Sequence, residues 1–181
     1  MDHQIIFAGF GGQGVMLIGT LLTYAGMEQG KAVSWLPSYG PEMRGGTANC
    51  SVCVSDTAVA SPVIAEPTAI IAMNLPSYEK FADSLLSGGC LIVNSDLADV
   101  KNSRQDIDLF AVPANTEAKN LGSDRVANMI CLGALLGARD IVPLDAVINA
   151  LPKVIQEKYH HLLELNTKAL ERGFELAKTK G

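Results

Sequence analysis

Near its start the chain carries a short apolar run that meets four glycines and then a long apolar segment, Ile5-Ile6-Phe7-Ala8-Gly9-Phe10-Gly11-Gly12-Gln13-Gly14-Val15. This reads as strand, turn, helix. Gly9, Gly11 and Gly14 have G-x-G-x-x-G spacing, which lets the backbone turn sharply, bring a ligand close and pack the following helix on its strand. A helix that starts near Gly14 aims unpaired N–H groups and its positive dipole end above the turn, where the favoured guest is an anion. The same glycines also suit a tight turn that holds nothing. Val15–Gln29 has no proline and supports about four helical turns.

The length, 181 residues, fits one domain, and 48% apolar against 18% charged residues marks a globular chain. No apolar stretch reaches the length of a membrane span, and Met1-Asp2-His3-Gln4 lacks a signal peptide's basic region, so the expected location is cytoplasmic, with no membrane partner. The formal charge of −5 argues against nucleic acid as a partner. Four cysteines are too few for a disulfide framework here. Cys50 and Cys53 are three apart on a predicted strand and so face opposite ways. No metal site is expected.

Strands are predicted over 4–8, Lys31–Leu36, Thr47–Val54, Ala69–Met73, Cys90–Val93 and Leu109–Val112, with a helix over 15–29 after the first. The short apolar runs suit a mostly parallel sheet covered on both faces. A dinucleotide-binding unit would place an acid at the end of the second strand; here stand Trp35, Leu36 and Pro37, which disfavours NAD or FAD in that mode. A turn at Ser55-Asp56-Thr57 leads into Ala58–Ile64, and Pro76 opens a helix expected to reach about Leu86. From Thr116 the pattern turns helical: Arg125–Leu136, ending near Gly137, then Asp145–Leu151, then Pro152–Lys178. His160 and His161 are adjacent and cannot pair as ligands on a helix. The fold class is α/β: a single Rossmann-like domain over 1–181 with flanking helices and a helical C-terminal part.

Pro37-Ser38-Tyr39-Gly40-Pro41-Glu42-Met43-Arg44-Gly45-Gly46-Thr47 is a loop by composition. Tyr39, Glu42 and Arg44 offer a ring, a carboxylate and a guanidinium, and Gly45-Gly46 permit close backbone approach. A plain surface loop with Glu42 and Arg44 solvated is the competing reading. This loop and the glycine turn follow the first two strands and are expected to open on one edge of the sheet. Asn74 ends a strand and is either a site residue or a helix cap. No nucleophile elbow, Walker phosphate loop or cysteine cluster is present, so no catalytic residue is assigned.

Gly9-Phe10-Gly11-Gly12-Gln13-Gly14 followed by Tyr39-Gly40-Pro41-Glu42-Met43-Arg44-Gly45-Gly46 resembles the gamma subunit of the 2-oxoacid:ferredoxin oxidoreductases. The resemblance extends through Ala72-Met73-Asn74 with Pro76-Ser77, Gly122-Ser123 to Asn128-Met129, and Asn166-Thr167-Lys168-Ala169. It implies a share in oxidative decarboxylation of a 2-oxoacid to acyl-CoA and carbon dioxide with reduction of ferredoxin. The run Met73–Phe81 looks most like the 2-oxoglutarate enzymes. The implied partners are alpha, beta and ferredoxin-like delta subunits, which would carry thiamine diphosphate and 4Fe–4S clusters; ferredoxin would accept the electrons. The part left to this chain is coenzyme A (CoA). The implied site comprises Gly9, Gly11, Gly12, Gln13 and Gly14 at the turn, Tyr39, Glu42, Arg44, Gly45, Gly46 and Thr47 on the second loop, and Asn74 and Asn128. Two alternatives stand beside it: a scaffold subunit whose glycine loops serve only packing, and an independent nucleotide-binding oxidoreductase. Isolated, the chain is expected to be inactive and open to self-association through the surface meant for its partners.

Overall fold

The computed structural model describes residues 2–39, 47–59, 61–100 and 104–179. Six strands form one sheet in the order β2-β3-β1-β4-β5-β6: β1 (Asp2–Phe10), β2 (Ala32–Tyr39), β3 (Thr47–Ser55), β4 (Ala69–Ala72), β5 (Cys90–Asn94) and β6 (Asp108–Val112). β1 pairs in parallel with β4, β4 with β5 and β5 with β6, whereas β3 runs antiparallel to both β1 and β2. Five strands therefore point one way and β3 alone is reversed. β4 and β5 are buried along their whole length, which is why they read as uninterrupted apolar runs.

Strand alternation sends the sheet's side chains into two cores. Ile5, Phe7, Ile71 and Ile92 face the larger one, beneath the helices α1 (Val15–Glu28), α4 (Ala127–Ala138), α5 (Leu144–Val154) and α6 (Leu163–Lys178). Ile6, Ala8, Ile70, Leu91 and Val93 face the smaller one, covered on the side of α2 (Leu75–Phe81). α3 (Ala114–Asn120) follows β6 and is tied to α6 by Glu117, whose carboxylate accepts from Arg172 Nε at 2.8 Å and Nη2 at 3.1 Å. α4 and α6 run in backbone contact. A Cβ added to Gly133 would land on the Leu170 carbonyl oxygen, and one on Gly173 on that of Ile130.

Four expected boundaries are corrected. The helix opened by Pro76 ends at Phe81 and gives way to a 3-10 turn over Ala82–Ser84, after which Leu85 is buried in the small core and Leu86 N–H binds the Pro67 carbonyl. The helix expected from Arg125 starts at Ala127, after a 3-10 turn over Asp124–Val126, and runs through Gly137 to Ala138. Gly137 is not a stop signal: its missing side chain admits the Phe174 carbonyl of α6. Pro152 stands in the last turn of α5 and does not open a long helix; the chain extends at Ile155 and Gln156, makes a 3-10 turn over Glu157–Leu162, and only then forms α6. The described part of Ala58–Ile64 forms neither helix nor strand.

Cys50 points into the large core, its Sγ 3.5 Å from the Val15 carbonyl, while Cys53 on the other face donates to the Ser61 carbonyl. Burial pushes the thiols of Cys50, Cys90 and Cys131 up to about 12. Among the described residues no three His, Cys, Asp or Glu side chains are grouped to hold a metal ion. No described helix is long and apolar enough to cross a membrane.

Candidate functional site at the carboxyl edge of the sheet

β1 and β4 lie side by side and parallel, yet the helices that follow them, α1 and α2, pack on opposite faces. Such a divergence opens a crevice at the strands' carboxyl ends, the usual ligand position in open α/β sheets. The glycine turn sits there. Gln13 N–H donates to the Phe10 carbonyl at 3.1 Å, closing a turn whose third residue, Gly12, has φ 95°, the positive value a type II turn requires. Gly14 follows at φ 75° as the N-cap of α1. A Cβ there would collide with Asn128 Nδ2, so both conformation and space demand glycine. Gly9, at the end of β1, leaves room for Gln13, Val15 and Met73, each within 3.1 Å of where its Cβ would stand.

Side chains brace this turn from the neighbouring strand ends. Gln13 Oε1 accepts from the Phe10 N–H at 2.7 Å and from Asn74 Nδ2 at 2.8 Å. Asn74 also caps α2, its Oδ1 accepting from the Ser77 N–H at 3.0 Å. Of the two expectations for Asn74 the cap is found, and the same side chain ties the β1 loop to the β4 loop. Asn128 Nδ2 donates to the Gly14 carbonyl at 3.2 Å. Its Oδ1 is buried with no hydrogen-bond partner among the described residues, in a residue only 5% exposed. An acceptor left open in this way is costly unless something donates to it.

Gly12, Gln13, Asn128, Met73, Asn115 and Arg125 border a cavity of about 230 Å³, with Asp124 and Ala127 completing it. Two helices begin here. α1 has no side-chain cap and no acid in its first turn, so it leaves N–H groups and a positive dipole end at the cavity, whereas α4 continues from the 3-10 turn over Asp124–Val126, where Ser123 Oγ accepts from the Arg125 N–H at 3.3 Å. Arg125 adds a cation at the rim. Arg104, Arg139 and Arg172 are held by Asp106, Asp108 and Glu117, whereas Arg125 joins no ion pair among the described residues. One carboxylate, Asp124, opposes this field. The arrangement can accept an anion, and its lining carries no hydroxyl, thiol or amine nucleophile.

Of the residues expected at the site, Gly12, Gln13 and Asn128 line this cavity, Gly9, Gly11 and Gly14 shape its turn, and Asn74 braces it. Thr47 is exposed at the start of β3, opposite Phe10, and Tyr39 at the end of β2 pairs with Ala48, so β2 ends and β3 begins on the same edge as the turn. Tyr39 ends β2, and its side chain, with all of Glu42, Arg44, Gly45 and Gly46, lies outside the described residues. Arg125 and Asn115 were not foreseen. Asn115 is tied to the edge by Asn94, whose Nδ2 donates to its Oδ1 at 2.8 Å, and the polar residue ending β5 was the available signal. β2 stands two places from β1 with β3 between them, so its end is not beside the turn, where a dinucleotide unit would need its acid.

Residues 4–176 match the protein family described as pyruvate ferredoxin/flavodoxin oxidoreductase. Over 179 residues the chain is 35% identical to ketoisovalerate oxidoreductase subunit VorA of Methanothermobacter thermautotrophicus, covering 98% of the chain but 37% of that relative's length. Over 188 residues it is 35% identical to 2-oxoglutarate synthase subunit KorC of Methanothermobacter marburgensis, covering 97% of each. Among solved structures it resembles the gamma subunit of a keto/oxoacid ferredoxin oxidoreductase from Geobacter sulfurreducens, with a TM-score of 0.83, 32% identity and coverage of 98% and 99%. It also resembles the 2-oxoglutarate:ferredoxin oxidoreductase of Magnetococcus marinus, a structure with 2-oxoglutarate, coenzyme A and succinyl-CoA bound. There the TM-score is 0.87 and the identity 25%, over 98% of this chain and 31% of the other.

Proposed function

The chain belongs to the pyruvate ferredoxin/flavodoxin oxidoreductase family, and from that premise we propose that it is the CoA-binding gamma subunit of a cytoplasmic 2-oxoacid:ferredoxin oxidoreductase. In this reading residues 1–181 are one domain. It docks on alpha and beta subunits and a ferredoxin-like delta subunit, which carry thiamine diphosphate and 4Fe–4S clusters, and ferredoxin takes the electrons. The chain's own cysteines suit no cluster, because they are separately buried. The proposed 2-oxoacid is 2-oxoglutarate, supported by relatives of matching length that are named for its synthase.

The observation that carries the reading is the cavity where the uncapped start of α1, the glycine turn and Arg125 meet. The CoA diphosphate accepts hydrogen bonds from the N–H groups of Gly11, Gly12 and Gly14 and the start of α1, and Arg44 and Arg125 supply cations. Asn128 Oδ1 takes a donor from the ligand, and Gln13, held by Asn74, keeps the turn in shape. Tyr39, Glu42, Gly45, Gly46 and Thr47 are the further residues proposed to contact the ligand. The subunit presents CoA; it does not perform the chemistry.

Calorimetric titration of the assembled complex with CoA, with NAD and FAD as controls, tests this. CoA binding that weakens with added salt, and drops about tenfold in Arg44→Ala and in Arg125→Ala, is the expected result. No CoA binding, or binding of NAD or FAD instead, would overturn it. Arg44→Ala that loses assembly and keeps CoA affinity would make the loop a scaffold.

A further inference from the structure

Both ends of the described fold lie on the amino edge of the sheet, opposite the glycine turn. β1 begins there at Asp2. α4 starts at the carboxyl edge, where Asn128 donates to the Gly14 carbonyl, and it ends at the amino edge, where Arg139 Nη2 donates to the Gly88 carbonyl just ahead of β5. α6 runs in the same direction as α4, with Leu170 beside Gly133 and Phe174 and Ala177 beside Gly137, so its last turn reaches the amino edge too. Polypeptide attached to either end therefore leaves from this edge. In two of the similar proteins such polypeptide is the greater part, because the match takes up 37% of one and 31% of the other.

The same edge carries two cavities that share Asp2 and His3. One, of about 160 Å³, is bordered by Cys53, Ser55 and Val63, and the other, of about 260 Å³, by Thr68, Leu86 and Gly88. Val63 is 68% exposed and Leu86 38%. Met27, 53% exposed, stands in the last turn of α1, whose 14 residues, roughly 21 Å, carry it from the carboxyl edge to this one. The cations here are already engaged, Lys31 by Asp56 at 2.6 Å and Arg139 by Asp108 at 2.6 Å. An edge whose charges are paired and whose large apolar side chains stand exposed beside open cavities suits a protein surface better than an ionic ligand.

We propose that the amino edge is the docking surface for the polypeptide that the longer relatives carry joined to this domain, which seats apolar side chains in the two cavities and covers Val63 and Leu86. The proposal rests on the reading that the chain works within a multi-subunit assembly. Polypeptide joined at Asp2 or Lys178 starts on the edge that holds the cavities, so the link itself keeps it there at high local concentration. Where the same partner is a separate chain, contacts replace the link, and apolar anchors in preformed cavities supply them. The carboxyl edge then stays open to its ligand.

The test titrates the chain into its partner subunits and reads assembly by analytical ultracentrifugation, for wild type, Val63→Glu and Leu86→Glu. Both side chains are exposed, so an unchanged thermal midpoint is expected of each variant. Each should weaken assembly at least tenfold, while Leu97→Glu, 45% exposed beyond β5 at the carboxyl edge, should not. Hydroxyl-radical footprinting of wild type needs no variant: oxidation of Val63 and Leu86 should fall about tenfold from the free chain to the complex. Assembly unchanged in both glutamate variants, or equal oxidation in chain and complex, overturns the proposal. So does a homodimer of the chain that these variants break while the multi-subunit complex survives, which would make a second copy the occupant. A wild-type chain that joins no partner subunit removes the assembly reading and the proposal with it.

Discussion

At Gly14 one residue meets three demands: a left-handed backbone, the N-cap of α1, and a carbonyl held by Asn128 over a side chain's missing volume. Gly14→Ala should therefore cost about 1–3 kcal/mol through strain and displacement of Asn128. Chemical denaturation would measure it, and CoA affinity of the complex should fall with it. Asn128→Ala is different, since it removes a buried unpartnered oxygen along with one hydrogen bond. Its stability loss should be smaller than that of Gly14→Ala, and its loss of CoA affinity comparable. The turn was legible in the sequence because a positive φ is a local demand that only glycine meets cheaply. Arg125 and Asn115 were not, because they arrive at the same cavity from more than a hundred residues downstream, and no spacing rule links positions 12 and 125. Asn74 was half legible: the motif for a cap is local, but its bond to Gln13 depends on β4 lying beside β1.

The helices α4 and α6 meet through Gly133, against the Leu170 carbonyl, and Gly173, against the Ile130 carbonyl. Replacing either by alanine should force the helices apart and destabilise the chain by about 1–3 kcal/mol, read from a shifted denaturation midpoint. A midpoint unchanged in both variants would refute the backbone contact. Glu117 and Arg172 join α3 to α6, and the guanidinium holds the Glu117 carboxyl below its usual range. Because the folded value is the lower one, this contribution is complete at neutral pH and is lost as acid carries the solution down through the folded value. Glu117→Gln should flatten that part of the acid profile and cost below about 1 kcal/mol at pH 7, since Arg172 is partly exposed. Elements of strong period were readable, α1 and the buried β4 and β5 above all. The stop placed at Gly137 was misread because a glycine that ends a helix and one that admits a neighbouring backbone are the same letter. The reversal of β3 was not readable either, since alternation is the same in a parallel and an antiparallel pair.

Across the whole molecule the two edges of the sheet behave differently. At the amino edge His3 is nearly buried, and burial, with Lys31 nearby, lowers its imidazole below the ordinary 6.5. The unfolded chain thus binds that proton more readily than the native one, so stability is complete above pH 6.5 and falls as acid carries the solution down through the lower folded value. Thermal melts of wild type and His3→Gln between pH 7.5 and 5 should converge toward acid. Parallel curves would mean the native imidazole is not disfavoured as a cation. The carboxyl edge gathers the glycine turn, two helix starts and Arg125, which is where the fold has room for an anion. The most direct test of that placement is amide hydrogen exchange on the assembled complex with and without CoA. Protection concentrated on Gly11–Leu17 and the start of α4 is the predicted result. CoA binding that leaves those amides unchanged and protects residues elsewhere would contradict the assignment of the ligand to this edge.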